Sequence, residues 1–374
     1  MKKSASPPAW QTGSSRRSPQ PAGEGGGVGD CPEGCAAEEL SGPCKYEVSL
    51  IVVSFNTRDL LRECLQAAIA DCARLPKGLA AEVLVVDNGS RDGSAVIVAS
   101  EFAASEIPVR LFRSEVNLGF AEANNLSMEE ASGRYIVLLN SGTLLQAGAL
   151  RKAILHMDAN RAVGIGCARL VGRDGVWQPS AQSFPSLWRD TLRMTRRFPG
   201  SSILGAPDRT WANPEQPAQV DWVAGAFCIL RREALEKAGL FDPAFFLDYE
   251  EADLCRRLKA AGFRIQYWPD VMVTHICGES GRQEQSVKFS EDGAQAVLWR
   301  MRSRLLYYRK HHGWQARLAL WLDQAVYTLR RLRNRGSSDP DRHQRAEEAK
   351  LLLSLVRLAW GETQGGRVSP PQPW

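Results

Sequence analysis

The feature that most constrains this chain is a regular alternation of two periodicities between Val48 and Leu139. Val48 to Ser54 is a short β-branched apolar run, as a strand covered on both faces requires. Asn56 to Arg74 then carries Leu60, Leu61, Leu65, Ala68 and Ile69 at helical spacing. Glu82 to Val86 reads as the next strand, Ser94 to Phe102 as a helix, Val109 to Phe112 as a strand, Ala121 to Ala131 as a helix, and Tyr135 to Leu139 as a strand. That β-α-β-α-β-α-β order predicts a mostly parallel sheet flanked by helices, joined by right-handed crossovers. Ligands in such sheets bind outside the carboxyl ends of the strands. Three polar segments lie at such ends: Ser54-Phe55-Asn56, Asp87-Asn88-Gly89-Ser90 and Asn140-Ser141-Gly142-Thr143.

The second half is less regular. Val163 to Val171 reads as a strand, and Ser180 to Gln219 as a long polar, Pro-containing loop. Phe227 to Leu230 and Phe263 to Trp268 read as strands, Arg232 to Ala238 and Glu251 to Ala261 as helices, and Val271 to Thr274 as a strand ended by His275. The expected organisation is a tail over 1–44, one α/β domain over 45–290, a helical extension over 291–360 and a second tail over 361–374. Both ends are rich in Gly, Pro or Ser, a composition that buries too little apolar surface to offset its ordering entropy. Cys31, Cys35 and Cys44 could supply three zinc ligands, but no fourth Cys or His lies nearby, and a disordered tail is the simpler reading.

Composition narrows the partners. A net charge of +5 with no basic stripe interleaved with aromatics gives no footprint for nucleic acid. The nine cysteines are odd in number and form no framework of spacings, which points to reduced thiols. Met1-Lys2-Lys3 is followed by Ser-Ala-Ser-Pro-Pro rather than an apolar core, and no run approaches the roughly 18 apolar residues of a spanning helix. A cytoplasmic protein, soluble or peripheral at the inner face of the membrane, fits these features. Ala294 to Arg335 mixes Trp299, Tyr307, Tyr308, Trp314 and Trp321 with arginines and Lys310. Two readings stay open for it: an interfacial helix pair on anionic lipid, or a packed helical hairpin.

The chemistry-bearing residues each have a plain alternative. Asp-Asn-Gly-Ser at 87–90 is good turn chemistry, yet a carboxylate there can also accept from a pyrimidine imide or a ribose hydroxyl. Glu250, Glu251 and Asp253 open a helix and complement its dipole. Three crowded acids also raise one another's pKa, which suits a base that takes a proton near neutral pH. A lone histidine such as His275 is usually structural.

Taken in order and spacing, Val52-Val53-Ser54-Phe55-Asn56, Val85-Val86-Asp87-Asn88-Gly89-Ser90, Asn117-Leu118-Gly119-Phe120, Asn140 to Thr143, the acidic cluster and His275 with Gly278 and Ser280 form a pattern. From Glu47 to Ser280 it resembles the inverting family 2 glycosyltransferases, in particular their rhamnosyltransferase-like branch. The resemblance implies an α/β nucleotide-diphospho-sugar transferase fold of GT-A type with a C-terminal helical extension. It implies a nucleotide-sugar donor held by Ser54, Phe55, Asn56, Asp87, Asn88, Ser90, Asn117, Gly119, Phe120, Asn140 and Thr143, with Asp87 on the nucleobase. Glu251 would be the general base, with Glu250 and Asp253 beside it, and His275 would touch metal or diphosphate. The sugar is expected to be rhamnose and the acceptor a glycan or a lipid-linked glycan. The family holds Mn²⁺ or Mg²⁺ with an aspartate where this chain has Gly142. That substitution motivates the alternative of a homologue that binds nucleotide-sugar or a partner protein without turnover.

Overall fold

The computed structural model describes residues 44–187, 189, 214–276, 291–335 and 339–370. The expected tail over 1–43, the middle of the 180–219 loop, and Gly278 and Ser280 lie outside them.

The alternation folds as expected. β1 (Tyr46–Ser54) lies between β2 (Ala81–Asn88) and β4 (Gly133–Asn140), parallel to both, and β3 (Val109–Ser114) extends the sheet beyond β2. The crossovers are α1 (Arg58–Cys72), α2 (Ser94–Glu101) and α3 (Phe120–Glu130). Successive strand residues feed opposite layers, as the pleat demands. Leu50, Val52, Val83 and Val85 pack with Leu61 and Leu65 of α1 and Ile97 of α2. Ile51 and Leu84, one residue out of phase, pack with Ala121 and Met128 of α3 on the other face.

Past β4 come β5 (Thr143–Leu145), α4 (Ala149–Ala159), β6 (Val163–Val171), β7 (Trp177–Gln178), β8 (Ala181–Gln182), β9 (Ala218–Gln219), β10 (Trp222–Val223), β11 (Phe227–Arg231), α5 (Arg232–Ala238), α6 (Glu250–Ala260) and β12 (Arg264–His275). The main sheet runs β3-β2-β1-β4-β11-β6-β12-β5. β11 is antiparallel to both β4 and β6, so the sheet is parallel in its first half and mixed in its second. The two strands read from Phe263 and Val271 are one, with a register shift between Trp268 and Met272. Pro269, which has no N–H to give the ladder, falls inside that shift. α4 was not expected, although Leu150, Ala153, Ile154 and Met157 carry the helical period and are buried. Asp71 of α1 seats it by accepting from the Gly148 and Leu150 N–H groups at 2.5 and 2.9 Å.

Three helices close the chain: α7 (Glu291–His312), α8 (Gln315–Asn334) and α9 (Pro340–Glu362). Of the two readings for 294–335, the packed one describes α7, whose Trp299, Tyr307 and Tyr308 are buried. Phe246 stacks on Trp299 with centroids 4.2 Å apart, and Arg256 Nε donates to the Tyr307 hydroxyl at 2.7 Å. Leu298, Met301 and Leu305 of α7 form a second core with Leu320 of α8 and Val356 and Ala359 of α9. The tail expected from Gly361 is instead packed as far as it is described. Thr363 is buried and its hydroxyl donates to Ala359 O at 2.7 Å, Gly366 lies so close to Leu305 O that a Cβ would meet it at 2.3 Å, and Ser369 donates to Ala244 O at 2.8 Å.

The joint between α6 and α7 is ionic. Asp253 is wholly buried with Arg257 Nε at 2.9 Å, Lys310 Nζ at 2.8 Å and His311 Nε2 at 2.7 Å. Burial pushes its pKa up, but the His311 hydrogen bond and the Arg257 and Lys310 charges outweigh this and hold it well below the carboxylate range. Asp253→Ala removes the buried acceptor that Arg257, Lys310 and His311 share and should cost about 2 kcal/mol at pH 7 by urea unfolding. Because the folded pKa is depressed, the contribution is present above the unfolded value and lost as pH falls, so the gap from wild type should close in acid. An unchanged unfolding midpoint at pH 7 would show that the joint does not depend on this group.

Candidate active site

The parallel register sets the expected residues side by side. Ser54 is opposite Asp87 across β1 and β2, and Val53 is opposite Asn140 across β1 and β4, so three strand ends open on one edge. Small hydroxyls tie them: Ser54 Oγ lies 2.9 Å from Thr57 Oγ1, which donates to Ser141 Oγ at 2.8 Å. Asn56 takes φ +53°, a left-handed conformation that asparagine tolerates. Its N–H donates to Ser90 Oγ at 3.0 Å and its Oδ1 accepts from the Arg91 N–H at 2.8 Å. Burial raises the pKa of Asp87, which accepts from the Ser90 N–H at 3.3 Å.

Asn88 and Asn117 shape the wall between them. Asn88 Nδ2 donates to Asn117 Oδ1 at 2.9 Å, and Asn88 Oδ1 accepts from the Leu118 N–H at 2.8 Å. Gly119 takes φ +85° and passes so close to Phe246 that a Cβ would sit 2.5 Å from its carbonyl oxygen. The Phe120 N–H donates to that same oxygen at 2.8 Å. Asn88, Asn117 and Gly119 are therefore engaged in loop geometry, Asp87 is buried at the strand end, and Phe55 and Phe120 keep partly exposed rings at this edge.

The turn at 223–226 joins this edge to the acids. Asn140 N–H donates to Ala226 O at 3.1 Å, and the Gly225 N–H donates to Glu251 Oε1 at 2.9 Å. A Cβ on Gly225 would meet Glu251 Oε1 at 2.6 Å and Phe120 Cζ at 2.8 Å, so the carboxylate and the Phe120 ring converge on one glycine. Residues Asp248 and Tyr249 enter α6 through consecutive left-handed conformations, φ +64° and +72°. Strained backbone of this kind persists only where the surroundings enforce it. Here α7 does so: Arg300 Nε pairs with Asp248 at 2.6 Å, and Ser303 Oγ donates to Leu247 O at 2.7 Å.

The three acids differ by environment. Glu250 is buried, its Oε2 has no hydrogen-bond partner among the described residues, and burial with the neighbouring Glu251 and Asp248 charges drives its pKa well above normal. Glu251 is partly exposed at the edge, and burial together with Asp248 pushes its pKa to about 7. Asp253, grouped with them as a catalytic acid, is buried against Arg257, Lys310 and His311 and forms the ionic joint to α7. Thr57, Gln178, Arg300 and Ser303 were not expected. Apart from Ser54, three residues from Thr57, their partners are 52 to 97 residues away in sequence, so no local pattern marks them.

Comparison with known proteins places these features in context. Residues 49–239 match the family model described as Glycosyl transferase family 2. The N-acetylglucosaminyl-diphospho-decaprenol L-rhamnosyltransferase of Mycobacterium tuberculosis (strain ATCC 25618 / H37Rv) is 28% identical over 215 residues, 52% of this chain and 66% of that one. Rhamnosyltransferase WbbL of Escherichia coli (strain K12) is 26% identical over 200 residues, 50% of this chain and 69% of that one. The chain thus spans about two thirds of the length of these curated relatives. The mannosyltransferase PcManGT from Pyrobaculum calidifontis, solved with GDP-Man and Mn²⁺, superposes at TM-score 0.46 with 18% identity over 88% of this chain and 80% of that one, too loosely to inform the site.

The expected metal position does not fit a resident divalent ion. Gly142 has no side chain, Asn140 Oδ1 accepts from the Gly142 N–H at 2.9 Å, Thr143 Oγ1 donates to Asn140 O at 2.6 Å, and Ser141 Oγ accepts from Thr57. No group of three or more His, Cys, Asp or Glu side chains able to hold a metal occurs among the described residues. His275 does lie beside this strand end, opposite Thr143, with Nδ1 3.0 Å from Gln178 Oε1 and its pKa lowered by burial. Gly142 itself is outside the left-handed region, and a Cβ there would make ordinary contacts, 3.4 Å to Ile276 O and 3.5 Å to Asn140 Oδ1. Gly142→Asp should therefore fold, with stability within about 1 kcal/mol of wild type. By calorimetry it should make nucleotide binding tighten with Mn²⁺ or Mg²⁺; a stable variant indifferent to the ion would rule out a lapsed metal site.

Proposed function

The chain belongs to glycosyl transferase family 2, and on that premise we propose that it transfers a sugar, rhamnose first among them, from a nucleotide-diphosphate donor to a glycan or lipid-linked acceptor with inversion at the anomeric carbon. The observation that carries this reading is Glu251: a carboxylate poised near neutrality, held by the Gly225 N–H at 2.9 Å and converging with Phe120 beside the strand-end edge. A base titrating near the working pH combines the deprotonated form with useful basicity.

In the proposed step the acceptor hydroxyl loses its proton to Glu251 while its oxygen bonds to the anomeric carbon. The bond from that carbon to the diphosphate breaks on the opposite face, and its electron pair leaves with the nucleotide diphosphate. Asp87, Phe55 and Phe120 would hold the donor's nucleoside end, with the Asn56–Ser90 and Asn88–Asn117 contacts fixing the loops around it. Glu250, kept neutral by burial, would limit the negative charge beside Glu251. No part of the step is routed through a metal ion. The transferase unit would run from about 45 to 290, with 291–360 as its helical extension. Work at the inner face of a membrane through 294–335 belongs to the same reading; among the described residues no helix is long and apolar enough to cross a bilayer.

Gly142 favours one second reading, a homologue that binds nucleotide-sugar or a partner protein without turnover. Thermal shift over UDP-, dTDP- and GDP-sugars, followed by a transfer assay with the donor that binds, separates the two. Binding with no transfer to glycan or lipid-linked acceptors would select the second.

If Glu251 is the base, Glu251→Gln should lower turnover by about 100-fold or more while the nucleotide Kd stays put. The wild-type rate should rise with pH through about 7, because the folded carboxyl must lose its proton to act, and the Gln variant should lose that limb. Near wild-type turnover in Glu251→Gln would refute the assignment.

A further inference from the structure

Beyond the sugar-transfer edge, the structure holds a cavity of about 300 Å³ between the end of α7, the start of α8 and the turn after α9. Arg309, Arg317 and Arg367 line it, together with Trp360 and Gln364, and no carboxylate does. Four neighbouring arginines on the same helices are paired, Arg300 with Asp248, Arg302 with Glu362, Arg304 with Asp323 and Arg330 with Glu348, while Arg331, Arg335, Arg345 and Arg357 stand singly on the surface outside this cavity. None of the three lining the cavity has an ion pair or side-chain hydrogen bond among the described residues. Three guanidinium groups around one small space repel one another in the absence of an anion. Their planar forks match phosphate oxygens, and a phosphate monoester carries close to two negative charges.

The surface beside the cavity is apolar. Trp314 and Trp321 are 67% and 62% exposed, and Leu329 and Leu332 continue the stripe along α8. The opposite face of α8 buries Ala316, Ala319, Leu320 and Asp323. Arg317 is three residues past Trp314 and four before Trp321, so it stands between them on one helix face. An isolated phosphate would leave the stripe bare. A second copy laid symmetrically on this face would set its unpaired arginines against their own equivalents. An anionic lipid satisfies both halves, with its phosphate among the arginines and its chains beside the indoles.

We propose that this face of α8 rests on a membrane, with the cavity receiving the head-group phosphate of an anionic lipid and Trp314 and Trp321 seated at the acyl boundary. The inference rests on the membrane-surface part of the proposed function and specifies which residues make the contact. It is independent of Glu251 and of the reaction at the strand ends.

Co-sedimentation of the full chain with phosphatidylcholine vesicles, with and without phosphatidic acid, tests it. Wild type should bind the phosphatidic acid vesicles at least about tenfold more tightly. Arg309→Gln/Arg317→Gln/Arg367→Gln should lose that increment, and Trp314→Ser/Trp321→Ser should weaken binding to both vesicles. Arg331→Gln/Arg335→Gln/Arg345→Gln, equal in charge but outside the cavity, should keep most of the increment. If it loses as much as the cavity variant, the attraction is diffuse and the phosphate site is refuted. If the cavity variant binds like wild type, the site is refuted while membrane contact through the indoles stands. Failure of wild type to bind any vesicle overturns both the site and the membrane-surface reading, and leaves sugar transfer to a soluble acceptor as a separate measurement. A melting shift with inorganic phosphate but no vesicle binding would assign the cavity to a free anion, and a dimer that Trp314→Ser/Trp321→Ser converts to monomer would assign the face to a second copy; either overturns the lipid.

Discussion

A carboxylate with no access to water must be neutralised by charge or by a proton, and Asp253 is neutralised by charge. Its partners Arg257, Lys310 and His311 come from two helices, α6 and α7, so the cluster ties α7 to α6. Everything at the acid end of the edge follows from that docking. α7 brings Arg300 and Ser303 to the strained Asp248–Tyr249 entry, and Trp299 to Phe246, whose carbonyl in turn receives Phe120. The ionic joint, the strained turn and the loop wall are one chain of contacts ending beside Glu251.

Three acids within one helical turn thus acquire three different states. Helix geometry separates their directions by roughly 100° per residue, and each direction meets a different medium. Glu250 points into a dry space with an oxygen that has no partner among the described residues, Asp253 toward Arg257, Lys310 and His311, and Glu251 toward the edge where the Gly225 N–H donates to it. The two glutamates titrate upward, so in the folded state they hold protons that the unfolded chain would have released. Their contribution to stability is full below the unfolded pKa and lost as pH rises through the folded value, the reverse of Asp253. Within the same turn the helix carries a site that weakens the fold at neutral pH and an anchor that strengthens it.

The sequence carried the first half of this architecture openly, because buried parallel strands and amphipathic crossovers have strong and distinct periods. β1 to β4 with α1 to α3 lie within a few residues of where alternation puts them. It was quieter where periodicity says nothing: four apolar residues at Phe227–Leu230 announce a strand but not its direction, and β11 runs against its neighbours. The acids were legible as a cluster and not as individuals, since Lys310 and His311, which claim Asp253, lie some 60 residues downstream, beyond any local signal. Composition misled at the end of the chain. Gly365 and Gly366 look like linker, yet both take positive φ to fold the last turn against α7, where a side chain on Gly366 would collide with Leu305.

The left-handed turn at Asp248–Tyr249 also sets an order of events during synthesis. The strands and crossovers before it contact one another over short spans, and can assemble as the chain emerges. The turn cannot, because the groups that hold it in its unfavourable conformation, Arg300 and Ser303, are made some 50 residues later. Until α7 arrives, a sheet with its polar edge already formed would carry an acid segment free to relax out of shape. α7 therefore acts as a clock as well as a scaffold: the acid entry takes its final shape only after this helix has been made.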